Sequence, residues 1–105
     1  MDKATKQKLE AAGWKTGDAQ DFLGLTEAEA AFVDMKLALA AHLKARRLKL
    51  HLNQTQVARI IGSSQSRVAK MEAADPSVSV DLLIRSLLKL GARQRDVAKA
   101  MAAPV

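Results

Sequence analysis

The chain has 105 residues, of which 49% are hydrophobic, a formal net charge of +6 and no cysteine. This length predicts one small domain with a core of several helices, and the lack of cysteine excludes a disulfide framework and thiolate chemistry. The sequence shows neither a signal-peptide pattern nor the apolar stretch of roughly 20 residues that a membrane span needs. We therefore expect a cytoplasmic or nucleoid-associated protein with no membrane contact.

Charge is distributed in two adjoining blocks. Residues 18 to 34 contain five acids and no base, whereas residues 36 to 70 contain eight bases and no acid. A basic run of this length repels itself unless a polyanion neutralises it, and the phosphates of DNA are the natural candidate. The alternative interpretation is an ordinary solvated basic face.

Residues 1 to 25 show poor helical periodicity and are predicted to form an N-terminal extension. A weak helix is expected over about Lys3 to Ala12, and a turn of helix at Asp18 to Leu23. Trp14 and Phe22 lie in this segment. They either cover the domain's own core or present an apolar handle to another protein.

A long helix is predicted over residues 27 to 49. Thr26 and Glu29 match a capping box, in which the threonine oxygen accepts from the N–H of residue 29 and the glutamate reaches back. Apolar residues recur near the helical period from Phe32 to Leu50, and bases gather toward the far end of the helix.

Two short helices joined by a tight turn are predicted over residues 52 to 72. Asn53 is a favourable N-cap for the first, Gly62 accepts the left-handed backbone that ends it, and Ser64 caps the second. Each helix carries apolar residues at helical spacing: Val57, Ala58, Ile60 and Ile61 in the first, and Val68 and Met71 in the second. This arrangement is typical of a helix-turn-helix.

Two further helices complete the predicted domain, which spans residues 26 to 103. After a turn at Asp75 to Ser77, Ser79 caps a mostly buried, leucine-rich helix that ends at Gly91. A last helix runs from about Gln94 to Met101. The sequence contains no strand pattern and no internal repeat, so the predicted fold class is all-α, with five helices after the N-terminal extension.

The helix-turn-helix resembles the Cro and lambda-repressor type of regulator, the XRE family. The resemblance covers residues 37 to 91, and its matching positions are Leu52, Asn53, Gln54, Val57, Ala58, Gly62, Ser64, Gln65, Val68, Met71 and Glu72. Two departures are Ser63, where the family usually has an apolar residue, and the pair Ala73 and Ala74, which replaces the usual glycine after the second short helix. The resemblance implies a five-helix, lambda-repressor-like DNA-binding domain. The long helix exceeds the usual first helix of this family, which leaves its first two turns for a dimer or partner contact.

The resemblance also implies which residues contact DNA, because in this family the helix from about Ser64 to Ala73 enters the major groove. The implied base readers are Gln65, Ser66, Ala69 and Lys70. The implied contacts to the DNA backbone are Asn53, Gln54, Ser64 and Arg67. The basic run independently predicts phosphate contacts by Lys44, Arg46, Lys49 and Arg59. Gln54 also braces the first base reader. Arg47 and Glu72 occupy the positions of an ion pair that ties the first helix to the end of the recognition helix.

Other chemistries find little support in the sequence. His42 and His51 have no carboxylate or thiolate at ligand spacing, so no metal and no other cofactor is expected. An enzyme is not expected either, because no nucleophile stands beside a plausible base. An aromatic content of 3% argues against stacking on single-stranded nucleic acid.

The leading hypothesis is a sequence-specific, double-stranded DNA-binding repressor. It would act as a homodimer on a palindromic operator, because one reading helix covers only a few base pairs. Spare apolar residues for such a dimer include Phe32, Val97 and Met101.

Two alternatives remain open. One is a HigA-type antitoxin, which residues 21 to 29 and the long helix resemble, with a toxin as partner and autoregulation of its operon. The acidic residues 18 to 34 suit a basic toxin, and the N-terminal extension would be the arm that binds it. The other alternative, of a different class, is a helix-turn-helix fold used only for protein-protein interaction. The acid-free basic run argues against this last one.

Overall fold

The computed structural model describes residues 26 to 102. This part of the chain is all-helical, which confirms the predicted fold class. Its five helices are α1 (Glu27–Lys49), α2 (Gln54–Ile61), α3 (Gln65–Glu72), α4 (Val80–Lys89) and α5 (Gln94–Ala102). Each begins and ends within a residue or two of its predicted bounds. The N-terminal extension, with the helix expected near Lys3 to Ala12 and the turn at Asp18 to Leu23, lies outside the described residues.

Helix α1 is the centre of the packing. It contacts α3, α4 and α5, while α2 packs against α3 and α4. The buried side chains form one core cluster of Leu39, Ala40, Leu43, Val57, Ala58, Ile61, Val68, Met71, Val78, Leu83, Leu87, Leu90, Val97 and Ala100. This cluster includes no residue of α1 before Leu39, and Phe32, Val33 and Leu37 are 52%, 41% and 41% exposed. The start of α1 thus presents exposed apolar side chains, although Ala30 and Ala38 on the same helix are buried.

The N-termini of three helices are capped by the residues that the sequence indicated. The side-chain oxygens of Asn53, Ser64 and Ser79 accept the backbone N–H three positions later, at 2.8, 3.2 and 3.1 Å. These bonds satisfy N–H groups that have no partner inside the helix. They also fix the points at which α2, α3 and α4 leave their connecting segments.

The capping box predicted for α1 was half wrong. The Thr26 hydroxyl accepts from the N–H of Glu29 at 3.1 Å, but the return bond from the Glu29 side chain is not formed. Glu29 is exposed, so water and the positive end of the helix stabilise its carboxylate without that bond. A complete capping box occurs instead at α2, where the Gln56 side chain accepts from the N–H of Asn53 at 2.8 Å.

Four helices end in the same way, with one left-handed residue after the helix. These residues are His51 (φ 57°), Gly62 (φ 72°), Ala74 (φ 53°) and Gly91 (φ 88°). The next residue donates its N–H to the carbonyl five positions back: Leu52 to Arg47, Ser63 to Ala58, Asp75 to Lys70 and Ala92 to Leu87, at 2.8 to 3.1 Å. The sequence indicated the two glycines. At His51 and Ala74 the same motif forms although a β-carbon makes this backbone costly.

Two apolar assignments were wrong. Ile60 is 50% exposed, because Val57, Ala58 and Ile61 fill the inward face of α2 and leave Ile60 beside it. Val97 is 8% exposed and belongs to the core cluster, so it is not a spare residue for a dimer. Among residues 26 to 102, no helix offers a stretch long and apolar enough to traverse a bilayer.

Candidate nucleic-acid interface

Helix α3 has one face in the core and one face at the surface. Val68 and Met71 are completely buried, whereas Gln65, Ser66 and Lys70 are exposed and Ala69 is half-buried. Residues 65, 66, 69 and 70 share the outer face because positions four apart lie one helical turn apart. The four predicted base readers are therefore together on the accessible side of α3.

A chain of side-chain hydrogen bonds runs from α1 to the first residue of α3. Arg47 Nε and Nη2 donate to Glu72 Oε2 and Oε1 at 2.7 and 3.1 Å. Gln54 Nε2 donates to the same Oε1 at 3.3 Å, and Gln65 Nε2 donates to Gln54 Oε1 at 2.7 Å. We call these four residues the bracing chain. It brings together both residues of the expected ion pair, the expected brace and the first base reader.

The ion pair in the bracing chain is nearly removed from water. The side chains of Arg47 and Glu72 are 13% and 5% exposed. The hydrogen bond to Glu72 raises the pKa of Arg47 above its usual value, against a smaller lowering by burial, so the guanidinium stays charged. Arg47 Nη1 also donates to the Leu52 carbonyl at 3.0 Å. One guanidinium thus ties the end of α3 to α1 and to the link before α2.

The bracing chain determines which groups of Gln65 remain for a ligand. A side-chain amide has two N–H donors and one oxygen acceptor, and Gln54 uses one of the donors. One N–H and the oxygen of this amide remain for a ligand. This donor and acceptor pair is complementary to N7 and the N6 amino group of adenine at the floor of the major groove.

The basic run of residues 36 to 70 is divided between internal and external roles. Lys36 Nζ donates to the Asp75 carbonyl at 3.0 Å, and Arg46 Nε donates to the Leu90 carbonyl at 2.8 Å. With Arg47, three of its eight bases thus make hydrogen bonds inside the domain. Sequence reasoning missed the roles of Lys36 and Arg46, because no local pattern shows which distant carbonyl a long side chain meets.

The predicted contacts to the DNA backbone do not all lie on one side. Arg67 is exposed on α3, Arg59 on α2 and Lys44 on α1. Arg46 and Lys49 instead line a cleft between α1 and α5. Asn53 and Ser64 use their side-chain oxygens as helix caps. For Arg46 and Lys49 the geometry does not favour a phosphate contact beside α3.

Among residues 26 to 102, no three histidine, aspartate or glutamate side chains lie close enough to hold a metal ion. The candidate site that the geometry supports is the exposed, hydrogen-bonded surface of α3.

Residues 43 to 91 match a protein-family model described as helix-turn-helix. The match contains α2, α3, α4 and the end of α1, and it lies inside the segment that resembled XRE-type regulators. A domain of this type suggests a DNA-binding regulator; the match does not support the HigA-type subtype. Comparison with curated proteins and with solved structures gave no match.

Proposed function

We propose that the protein is a sequence-specific, double-stranded DNA-binding transcriptional repressor whose helix α3 reads the major groove. The observation that carries this proposal is the bracing chain, which links α1, α2 and α3 to the exposed side chain of Gln65. Fixing an exposed glutamine costs side-chain entropy. That cost is repaid when a ligand recognises the amide in one orientation, as a base edge does.

Charge supports the same surface. Arg67 and Lys70 are exposed on α3, and the one acid of this helix, Glu72, is paired with Arg47. The surface that would face DNA is therefore positive, which favours phosphate binding and release of counterions. A plot of log K for duplex binding against the logarithm of the salt concentration is then expected to have a slope of about −0.9 for each neutralised phosphate.

The test is selection of duplexes from a random pool, followed by titration of the selected duplex and a scrambled one. Gln65→Ala is expected to cost ~1 to 3 kcal/mol of discrimination at a single base pair. Gln54→Ala is expected to weaken binding to both duplexes, because the regulators that this motif resembles use the glutamine at this position to hold a phosphate. Gln94→Ala is the matched control, since Gln94 is an exposed glutamine at the start of α5. Absence of duplex binding even in low salt would contradict the proposal and favour a module that binds only protein.

The proposal includes a homodimer on a palindromic site. One recognition helix spans only a few base pairs, and regulators with this motif place two such helices about 34 Å apart. Footprinting is expected to show two protected half-sites related by a dyad. A single isolated half-site would contradict the dimer and leave DNA binding itself unaffected.

The exposed start of α1 favours a second candidate, an antitoxin that also regulates its own operon. Phe32, Val33 and Leu37 are exposed near the start of α1, where positions 27, 29 and 34 of the same helix are acidic. Apolar anchors surrounded by negative charge suit a basic protein partner, and toxins that cleave RNA are usually basic. The segment that precedes this surface, residues 1 to 25, would then contribute to the same contact.

Capture of the product of an adjoining small reading frame tests this second candidate. Phe32→Asp is expected to abolish capture and to leave duplex affinity unchanged. Leu88→Asp is the control, because Leu88 is 43% exposed on α4, away from the start of α1. Equal loss of capture in both variants, or no capture by the unchanged protein, would count against the antitoxin role.

A further inference from the structure

A cleft of about 260 Å³ lies between α1 and α5. Its apolar lining consists of Ala45, Leu87, Ala92, Val97 and Ala100, and its polar lining consists of His42, Arg46, Lys49, Asp96 and Lys99. The cleft thus combines an apolar wall with several side chains that carry charge. A volume just below the ~300 to 1,000 Å³ of drug-sized pockets suits a small organic molecule.

The cleft opens on a different side of α1 from the bracing chain. Its α1 residues are 42, 45, 46 and 49, which share one face of the helix. Arg47 lies two positions before Lys49, so its side chain points about 160° away from that of Lys49 around the helix axis. It reaches Glu72 on α3 instead. The cations of the cleft therefore lie away from the base-reading face, and the proposed function assigns no role to Lys49 and Lys99.

The charge in the cleft favours an anion. Arg46, Lys49 and Lys99 supply three positive charges against the single carboxylate of Asp96. That carboxylate already accepts the N–H of Arg93 at 2.9 Å, and this bond, aided by the charge of Arg46, lowers the pKa of Asp96. Within residues 26 to 102, Lys49 and Lys99 make no side-chain hydrogen bond and no ion pair, unlike Arg46, which is held by the Leu90 carbonyl.

We propose that this cleft binds a small organic anion, namely a carboxylate carried on a compact apolar body such as an aromatic ring. The ring would lie against Ala45 and Ala92, which keep exposed surface above the buried Leu87 and Val97, and the carboxylate would lie toward Lys49 and Lys99. An inorganic anion would leave the apolar wall in water, and a neutral ring would leave the cations unpaired. This proposal does not depend on DNA binding, so the two can fail separately.

Titration of the full chain with benzoate, followed by ¹H–¹⁵N correlation spectra, tests the proposal. Benzoate is expected to shift the amide signals of residues 42 to 49 and 92 to 100 with saturation at millimolar concentrations. Benzamide, which has the same ring without the charge, and acetate, which has the charge without the ring, are expected to shift them far less. Unchanged signals elsewhere in each spectrum verify that the fold is retained.

Variants identify the groups responsible. Lys99→Gln is expected to weaken benzoate binding about two- to five-fold, the range for one partly exposed charge contact. Arg85→Gln removes the same charge from α4 at a side chain that is 71% exposed and outside the cleft, and is expected to leave binding unchanged. The proposal is overturned if benzoate causes no saturable shift, if benzamide or acetate binds as tightly, or if the two variants behave alike.

Discussion

Replacing Arg47 with alanine is expected to destabilise the domain strongly. The substitution removes two hydrogen bonds to Glu72, at 2.7 and 3.1 Å, and one to the Leu52 carbonyl at 3.0 Å. It also leaves a carboxylate that is 5% exposed without its countercharge. Breaking a buried pair on one side costs ~3 to 5 kcal/mol, and the 13% exposure of Arg47 gives water some access, so we expect about 2 to 3 kcal/mol.

Thermal and urea unfolding of single and double variants measures this effect. In a domain of this size each kcal/mol corresponds to ~4 to 8 °C, so Arg47→Ala is expected to lower Tm by about 10 to 20 °C. The double variant with Glu72→Ala is expected to cost less than the sum of the single ones, with a coupling of about 1 to 3 kcal/mol, because it leaves no orphaned charge. Measured stability will thus separate structural from DNA-binding effects of these residues.

A second ion pair in the chain provides the control. Arg85 and Asp81 approach to 3.1 Å on α4, but their side chains are 71% and 73% exposed. Their coupling is expected to be only ~0.3 to 0.5 kcal/mol, since water screens both charges. The reasoning is refuted if the costs of Arg47→Ala and Glu72→Ala add, or if their coupling is no larger than that of the surface pair.

Three further predictions follow from other parts of the fold. Ala74→Gly is expected to raise stability by about 1 kcal/mol and Gly62→Ala to lower it by a similar amount, because both positions have positive φ and a Cβ at position 62 would meet no atom within 4 Å. Melting curves that move in the same direction would contradict this. The Ser77 hydroxyl and N–H lower the pKa of Asp75. The ionised Asp75 carboxylate therefore stabilises the folded state fully at any pH above its unfolded pKa of about 4. This stabilisation is lost as the pH falls through the lower pKa of the folded state. Asp75→Asn is therefore expected to make Tm fall less steeply as the pH is lowered below about 4. An unchanged pH dependence of Tm would show that Asp75 does not contribute to it. Arg67→Gln is expected to reduce the salt slope of duplex binding by roughly one phosphate, as measured by titration at several salt concentrations. An unchanged slope would remove Arg67 from the phosphate contacts.

Features that depend on residues three to five positions apart were predictable from the sequence. The N-caps Asn53, Ser64 and Ser79 each bond within their own first turn, so side-chain chemistry alone locates the start of α2, α3 and α4. Gly62 and Gly91 mark helix ends for a similar local reason. The outer face of α3 also followed from periodicity, because burial of Val68 and Met71 determines which positions remain outside.

Features that depend on where one helix meets another were decided by the tertiary structure. The Arg47 and Glu72 pair and the Gln54 brace were expected only through resemblance to a family; residue types alone do not show that Gln54 joins both Glu72 and Gln65. Nor does the pattern of bases show that Arg46 bonds to Leu90 while the adjacent Arg47 bonds to α3. Successive helical residues point about 100° apart, so neighbours in sequence enter different environments once the helices pack. Local sequence thus determined the helices and their ends, and packing determined which side chains share an environment.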